Sequence, residues 1–202
     1  MTEPFKPMDH ARFENAISRF DQENSHDPNF VVQDGVQVPR ELAYARWLTD
    51  WVLRLRPDAS ETLRLAARSA HLCRWTISRS AYPLTRAGYL RWRQDLKKFH
   101  SQKVADILRD LEYPEPMVAR VQELILKSTF PSDEESQVLE DALCLVFLEH
   151  QFGDLARKSS DEKMINALQK SWKKMSPAAR AIATTLPYGP SEKALLNRAL
   201  GG

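Results

Sequence analysis

Glycine is scarce in this chain, six residues in 202, and no glycine-rich turns punctuate it, so an extended sheet is not expected. Cysteine is scarcer still. Cys73 and Cys144 both sit in apolar helical stretches, and no CxxC pair exists, which excludes zinc-finger spacing and points to buried, reduced thiols. The longest apolar run is ALCLVFL at 142–148, far short of a membrane span. The stretch MTEPFKPMDHARF lacks the apolar centre of a secretory leader. These absences lead us to expect a soluble, cytoplasmic protein without a membrane partner. Charge of one sign is not in excess either. A formal +2 does not by itself imply nucleic acid.

What is abundant favours helix. Ala, Leu, Arg, Lys and Glu dominate. Phe13, Ile17 and Phe20 follow the three-to-four spacing of an amphipathic helix over 9–21. The polar stretch NSHDPNFVVQDGVQVP reads as a loop, and Pro28 pushes Asp27 of the His26-Asp27 pair away from helical geometry. Pro39 opens a helix bearing Leu42, Trp47, Leu48, Trp51 and Val52 on one face. Ser60 is the expected N-cap of the next, which runs through SETLRLAARSAHLCRW. A long helix over YLRWRQDLKKFHSQKVADILRDL follows, then PEPMVARVQELILKS. Ser132 or Asp133 caps the next helix, whose first turn is acidic. Ser176-Pro177 and Ser191 start the last two. The pattern predicts an all-α fold, a compact multi-helix bundle forming a single domain over 1–202. Within it, 1–35 is an N-terminal helix and loop, 36–155 the core helices and 156–202 the C-terminal helices.

Residues 71–100 hold seven Arg and Lys against Asp95 alone, a net +6 in a chain of +2, so the remainder sums to −4. Trp75, Tyr82, Tyr89, Trp92 and Phe99 are interleaved. Guanidinium groups grip phosphate oxygens in pairs, and aromatic faces stack on bases. Arg74, Trp75, Arg79, Tyr82, Arg86, Arg93 and Lys97 are therefore the candidate substrate-binding residues. The bland alternative is a solvated helix face with its aromatics in the core. On the helix that holds His71, Arg74 is three residues on and Trp75 four, so they share that residue's face. Arg93 and Lys97 share the face of His100 in the same way.

LEDALCLVFLEHQF is apolar nearly all round, so its helix is expected to be buried. Carboxylates on such a helix need cationic or metal partners. Two imidazoles and a carboxylate would hold a divalent metal such as Mn, Fe or Zn. His71, His100 and Asp141 are the candidate ligands, and Asp141 and Glu140 the candidate catalytic carboxylates. Alternatively, these acids simply pair with nearby cations.

The runs AARSAHLCRW, RAGYLRWR, LKKFH, RVQELILK, LEDALCLVFLE and WKKMSP resemble a family of all-helical bacterial and fungal proteins catalogued as domain of unknown function 4202. That resemblance spans most of the chain and implies no activity. A more distant likeness is to the HD-domain phosphohydrolases, helical enzymes whose metal ligands run His, His-Asp, Asp. It implies the ligand order His71, His100, Asp141, with Ser101 standing where that family has its paired Asp. KKMSP is similar to a loop of class I tRNA synthetases, but the chain lacks the nucleotide-binding sheet and the paired-histidine signature those enzymes need.

The expected function is metal-dependent hydrolysis of a nucleotide or another phosphate-containing small molecule. The alternative is a non-catalytic module that binds a nucleotide, RNA or another anion.

Overall fold

Residues 9–201 are described by a computed structural model; residues 1–8 and 202, including much of the stretch read for a leader, lie outside the described residues. The described residues form ten α-helices: α1 (His10–Asn24), α2 (Arg40–Leu55), α3 (Glu61–Ser69), α4 (Arg86–Asp110), α5 (Glu115–Leu126), α6 (Glu134–Val146), α7 (Phe152–Lys158), α8 (Asp161–Lys174), α9 (Pro177–Ala183) and α10 (Pro190–Leu200). The fold is all-α. One departure is a small antiparallel hairpin, β1 (Phe30–Gln33) with β2 (Val36–Pro39), where a loop was expected. Its turn is Asp34-Gly35, both residues at positive φ, 50° and 79°. That pair matches the two-residue turn whose twist suits a hairpin. No helix among the described residues is long and apolar enough to cross a membrane.

Helix starts follow local chemistry. The side chains of Ser60, Thr85, Asp133 and Ser176 accept from the backbone N–H three residues on, satisfying donors the helix leaves open. At the last helix, the Glu192 carboxylate reaches back to the Gly189 N–H at 2.7 Å. Gly88 is needed for a different reason. A Cβ there would lie 2.2 Å from the Pro83 carbonyl oxygen. We therefore expect Gly88→Ala to destabilise the fold by about 1–3 kcal/mol, although alanine is intrinsically the better helix former by about 1 kcal/mol. A thermal melt showing the variant equal to or above wild type would refute that close approach.

Contacts divide the chain into two compact units, residues 1–49 with 58–129, and residues 50–57 with 130–202, where the sequence pattern suggests breaks near 35 and 155. In the first unit α4 packs on α5, α5 on α3, and α1 on both α3 and α4. Phe20, Leu63, Leu65, Leu72, Leu108 and Leu124 fill its core. The Arg68 guanidinium donates two 2.7 Å bonds to Asp21, tying α3 to α1. In the second unit α6 packs on α8 and α9, and α8 on α10. Its core holds Leu139, Leu145, Phe152 and Leu168. Cys73 and Cys144 are buried free thiols.

Candidate functional site

The site grows from a turn that interrupts a helix. Spacing predicts one helix through His71 to Trp75, but α3 ends at Ser69 and a 3₁₀ turn occupies Arg74–Thr76. Between them Cys73 adopts a left-handed conformation, φ 53°, which is uphill for a residue with a Cβ. His71, Arg74 and Trp75 therefore do not line one helical face. The chain folds back instead, so the Arg74 N–H donates to the His71 carbonyl at 3.0 Å.

Two side chains hold that turn. Asn24, at the end of α1, accepts from the Cys73 N–H at 3.0 Å. His100 Nδ1 lies 2.8 Å from the Leu72 carbonyl oxygen. A carbonyl only accepts, so Nδ1 carries the proton and Nε2 keeps a lone pair. His100 is 2% exposed, and its Nε2 has no hydrogen-bond partner. Burial, with His71 beside it, depresses the His100 pKa to about 3. The ring is neutral at physiological pH.

His71 lies with its ring centroid 5.9 Å from that of His100, and it stacks on Tyr44 at 4.2 Å. Its Nδ1 is 3.5 Å from Glu41 Oε2, a close electrostatic contact longer than a strong hydrogen bond. Burial, with Arg74, Lys127 and Arg93 nearby, holds His71 well below its ordinary pKa. Some of the ring still meets solvent: 27% of the His71 side chain and 29% of the Arg74 side chain are exposed.

Glu41 is the carboxylate of this cluster, and sequence reasoning missed it. Only 5% of its side chain is exposed. It faces His71, Arg74 Nε at 3.9 Å and Arg40 Nε at 3.6 Å. Burial raises its pKa to about 7, against the pull of Arg74 and Arg40. Behind it, buried Asp27 accepts from the Glu41 N–H at 3.0 Å and from Asn29 twice. Asp27 thus joins the residue before the hairpin, Asn29, to the start of α2. The acidic first turn of that helix is a local signal for Glu41, but nothing local says what the carboxylate faces.

The other predicted binding residues divide by what they touch. Arg74 lies over the Trp92 ring, 4.7 Å from its centroid, and the Trp92 indole donates to the Ile77 carbonyl. Arg93 Nη1 is 3.3 Å from the Tyr89 hydroxyl. Arg79 donates to the carbonyls of Tyr82 and Pro83, and Tyr82 donates to Asp95, so these two residues build their own loop. Trp75 is half-buried, Arg86 exposed and Lys97 intermediate. Ser101 takes the Gln122 amide at 3.2 Å, fastening α4 to α5.

Asp141 and Glu140, the carboxylates expected to complete the metal site, belong to the second unit and are engaged there. Asp141 Oδ1 accepts from the Ser176 N–H at 2.8 Å and from Gln137 Nε2 at 3.0 Å. Glu140 takes the Lys174 ammonium at 2.8 Å. Both acids anchor the KKMSP segment, which accounts for that motif as architecture. Among the described residues, no three His, Cys, Asp or Glu side chains converge as a ready-made metal cage.

The sequence model of a family described as "Domain of unknown function (DUF4202)" matches residues 14–196. The chain belongs to that family. No curated protein and no solved structure matches the chain.

Proposed function

We propose that the protein binds a phosphate-containing small molecule, nucleotides included, at the Glu41–His71–Arg74–His100 cluster, and hydrolyses it with a divalent metal held by the two imidazoles. The observation that carries this reading is the buried, partnerless Nε2 of His100, whose opposite nitrogen is tied to a backbone carbonyl. Histidines that ligate metals characteristically have their other N–H held in this way. His71 repeats the theme, with Nδ1 toward the Glu41 carboxylate. Neutral imidazoles are the form that ligates.

His71 and His100 would hold Mn, Fe or Zn, with Glu41 orienting His71. Asp141 and Glu140 have no part in this version of the site. Such a metal, when bound, lowers the pKa of a water and polarises a phosphoryl oxygen. Arg74, stacked on Trp92, presents its planar fork to phosphate. Arg93 and Lys127 lie close enough to His71 to depress its pKa, so the same positive potential favours a bound anion.

A second reading is a metal-free anion-binding module. It is favoured by the lack of a third converging ligand among the described residues. Elemental analysis of protein purified without chelator separates the two. We expect about one divalent metal per chain in wild type, and loss of it in both His71→Gln and His100→Gln. Metal-free wild type that is nonetheless protected from heat by inorganic phosphate or a nucleotide would establish the second reading. RNA binding that weakens steeply with salt would move the partner to nucleic acid.

A further inference from the structure

The peptide between Leu72 and Cys73 is gripped from both ends. Its carbonyl receives the His100 Nδ1–H at 2.8 Å, and its N–H is received by Asn24 Oδ1 at 3.0 Å. The residues flanking this peptide unit, His71 and Arg74, are those that meet Glu41. Cys73 sits in the left-handed region between them, a conformation costing about 1–2 kcal/mol without a compensating contact. The Asn24 bond supplies that contact. Released from it, the segment would favour ordinary right-handed backbone, and His71 would lose its relation to His100.

Asn24 is completely buried. Because Cys73 presents an N–H, the amide must turn its oxygen there, and this leaves Nδ2 without a partner. A buried orphan donor is a cost, and here it accompanies the bond to the Cys73 N–H. We infer that Asn24 is a positioning residue: by holding the Cys73 N–H it fixes the left-handed turn that brings His71 and Arg74 to the same ligand as His100. This inference rests on the metal reading of the preceding subsection.

The test uses Co(II) as the probe, read by titration calorimetry and by its visible absorption on the full chain. Substituting an outer partner of a metal ligand typically weakens affinity about 10–100-fold. We expect at least a tenfold loss and an altered spectrum in Asn24→Ala, with recovery in Asn24→Asp, which keeps an acceptor oxygen in place. Ser69→Ala is the control. It removes another fully buried polar group of the same unit, one bonded to the Leu65 carbonyl at 2.6 Å, and should leave affinity and spectrum unchanged. If Asn24→Ala does not fold, Asn24→Ser carries the same expectation, because its shorter side chain falls short of the Cys73 N–H. Wild-type affinity and spectrum in the folded Asn24 variant would overturn the proposal. Wild type that takes up no Co(II) would bring down the metal reading itself, and this inference with it, before any variant is compared.

Discussion

Acidification from pH 6.5 to pH 4.5 should destabilise Glu41→Gln by about 2 kcal/mol more than wild type, and His100→Gln by about 2 kcal/mol less. The two shifts have opposite signs. His100 titrates near 3 in the folded chain against an ordinary 6.5. Its contribution is present above pH 6.5 and lost as pH falls toward 3, because the unfolded chain takes the proton first. Glu41 titrates near 7 when folded against an ordinary 4.5. Its contribution is present below pH 4.5 and lost as pH rises through 7. Between 4.5 and 6.5 the two slopes oppose each other, each about 1.4 kcal/mol per pH unit. Removing one group exposes the slope of the other, to which His71, also held well below its ordinary pKa by burial, adds in the same sense as His100. Urea denaturation at half-unit pH steps measures this directly, and parallel curves for all three proteins would mean that neither group is buried as described.

Asp141→Ala should lower the stability of the second unit by about 2–3 kcal/mol while leaving metal content untouched. Its carboxylate accepts the Ser176 N–H at the start of α9 and the Gln137 amide. Truncation at this residue, 4% exposed in wild type, strands the Ser176 N–H and takes one of two bonds from Gln137 Nε2, whose other goes to the Lys174 carbonyl at 2.9 Å. Asp141→Asn keeps an acceptor oxygen and should recover most of the loss. Thermal melts beside elemental analysis are the required pair. Metal disappearing from Asp141→Ala, with the melt unchanged, would overturn the architectural assignment of this residue.

Much of the scaffold was legible because helix signals are local. Three-to-four periodicity marked the buried faces, and Ser60, Asp133 and Ser176 announced helix starts by their own hydrogen-bonding chemistry. The hairpin also had a local signal in Asp34-Gly35, but its two strands are four residues each and too short to show a period. Reading α3 onward through His71 failed for another reason. HLCRW has unbroken helix-forming character, and the helix stops because Asn24 and His100, distant in sequence, claim the backbone groups of one peptide. Propensity differences of tenths of a kcal/mol yield to such contacts.

Composition and spacing by themselves determined an all-helical chain, where several of its helices begin, and a segment in which basic and aromatic residues crowd around two histidines. Tertiary structure alone decided which carboxylate His71 meets, which nitrogen of His100 keeps its lone pair, and which backbone N–H Asp141 accepts from. The physical reason is range. Helix formation is written in neighbours three and four residues apart, whereas Glu41 faces His71 and Asn24 faces Cys73 only because α1, the start of α2 and the turn after α3 are packed into the same unit.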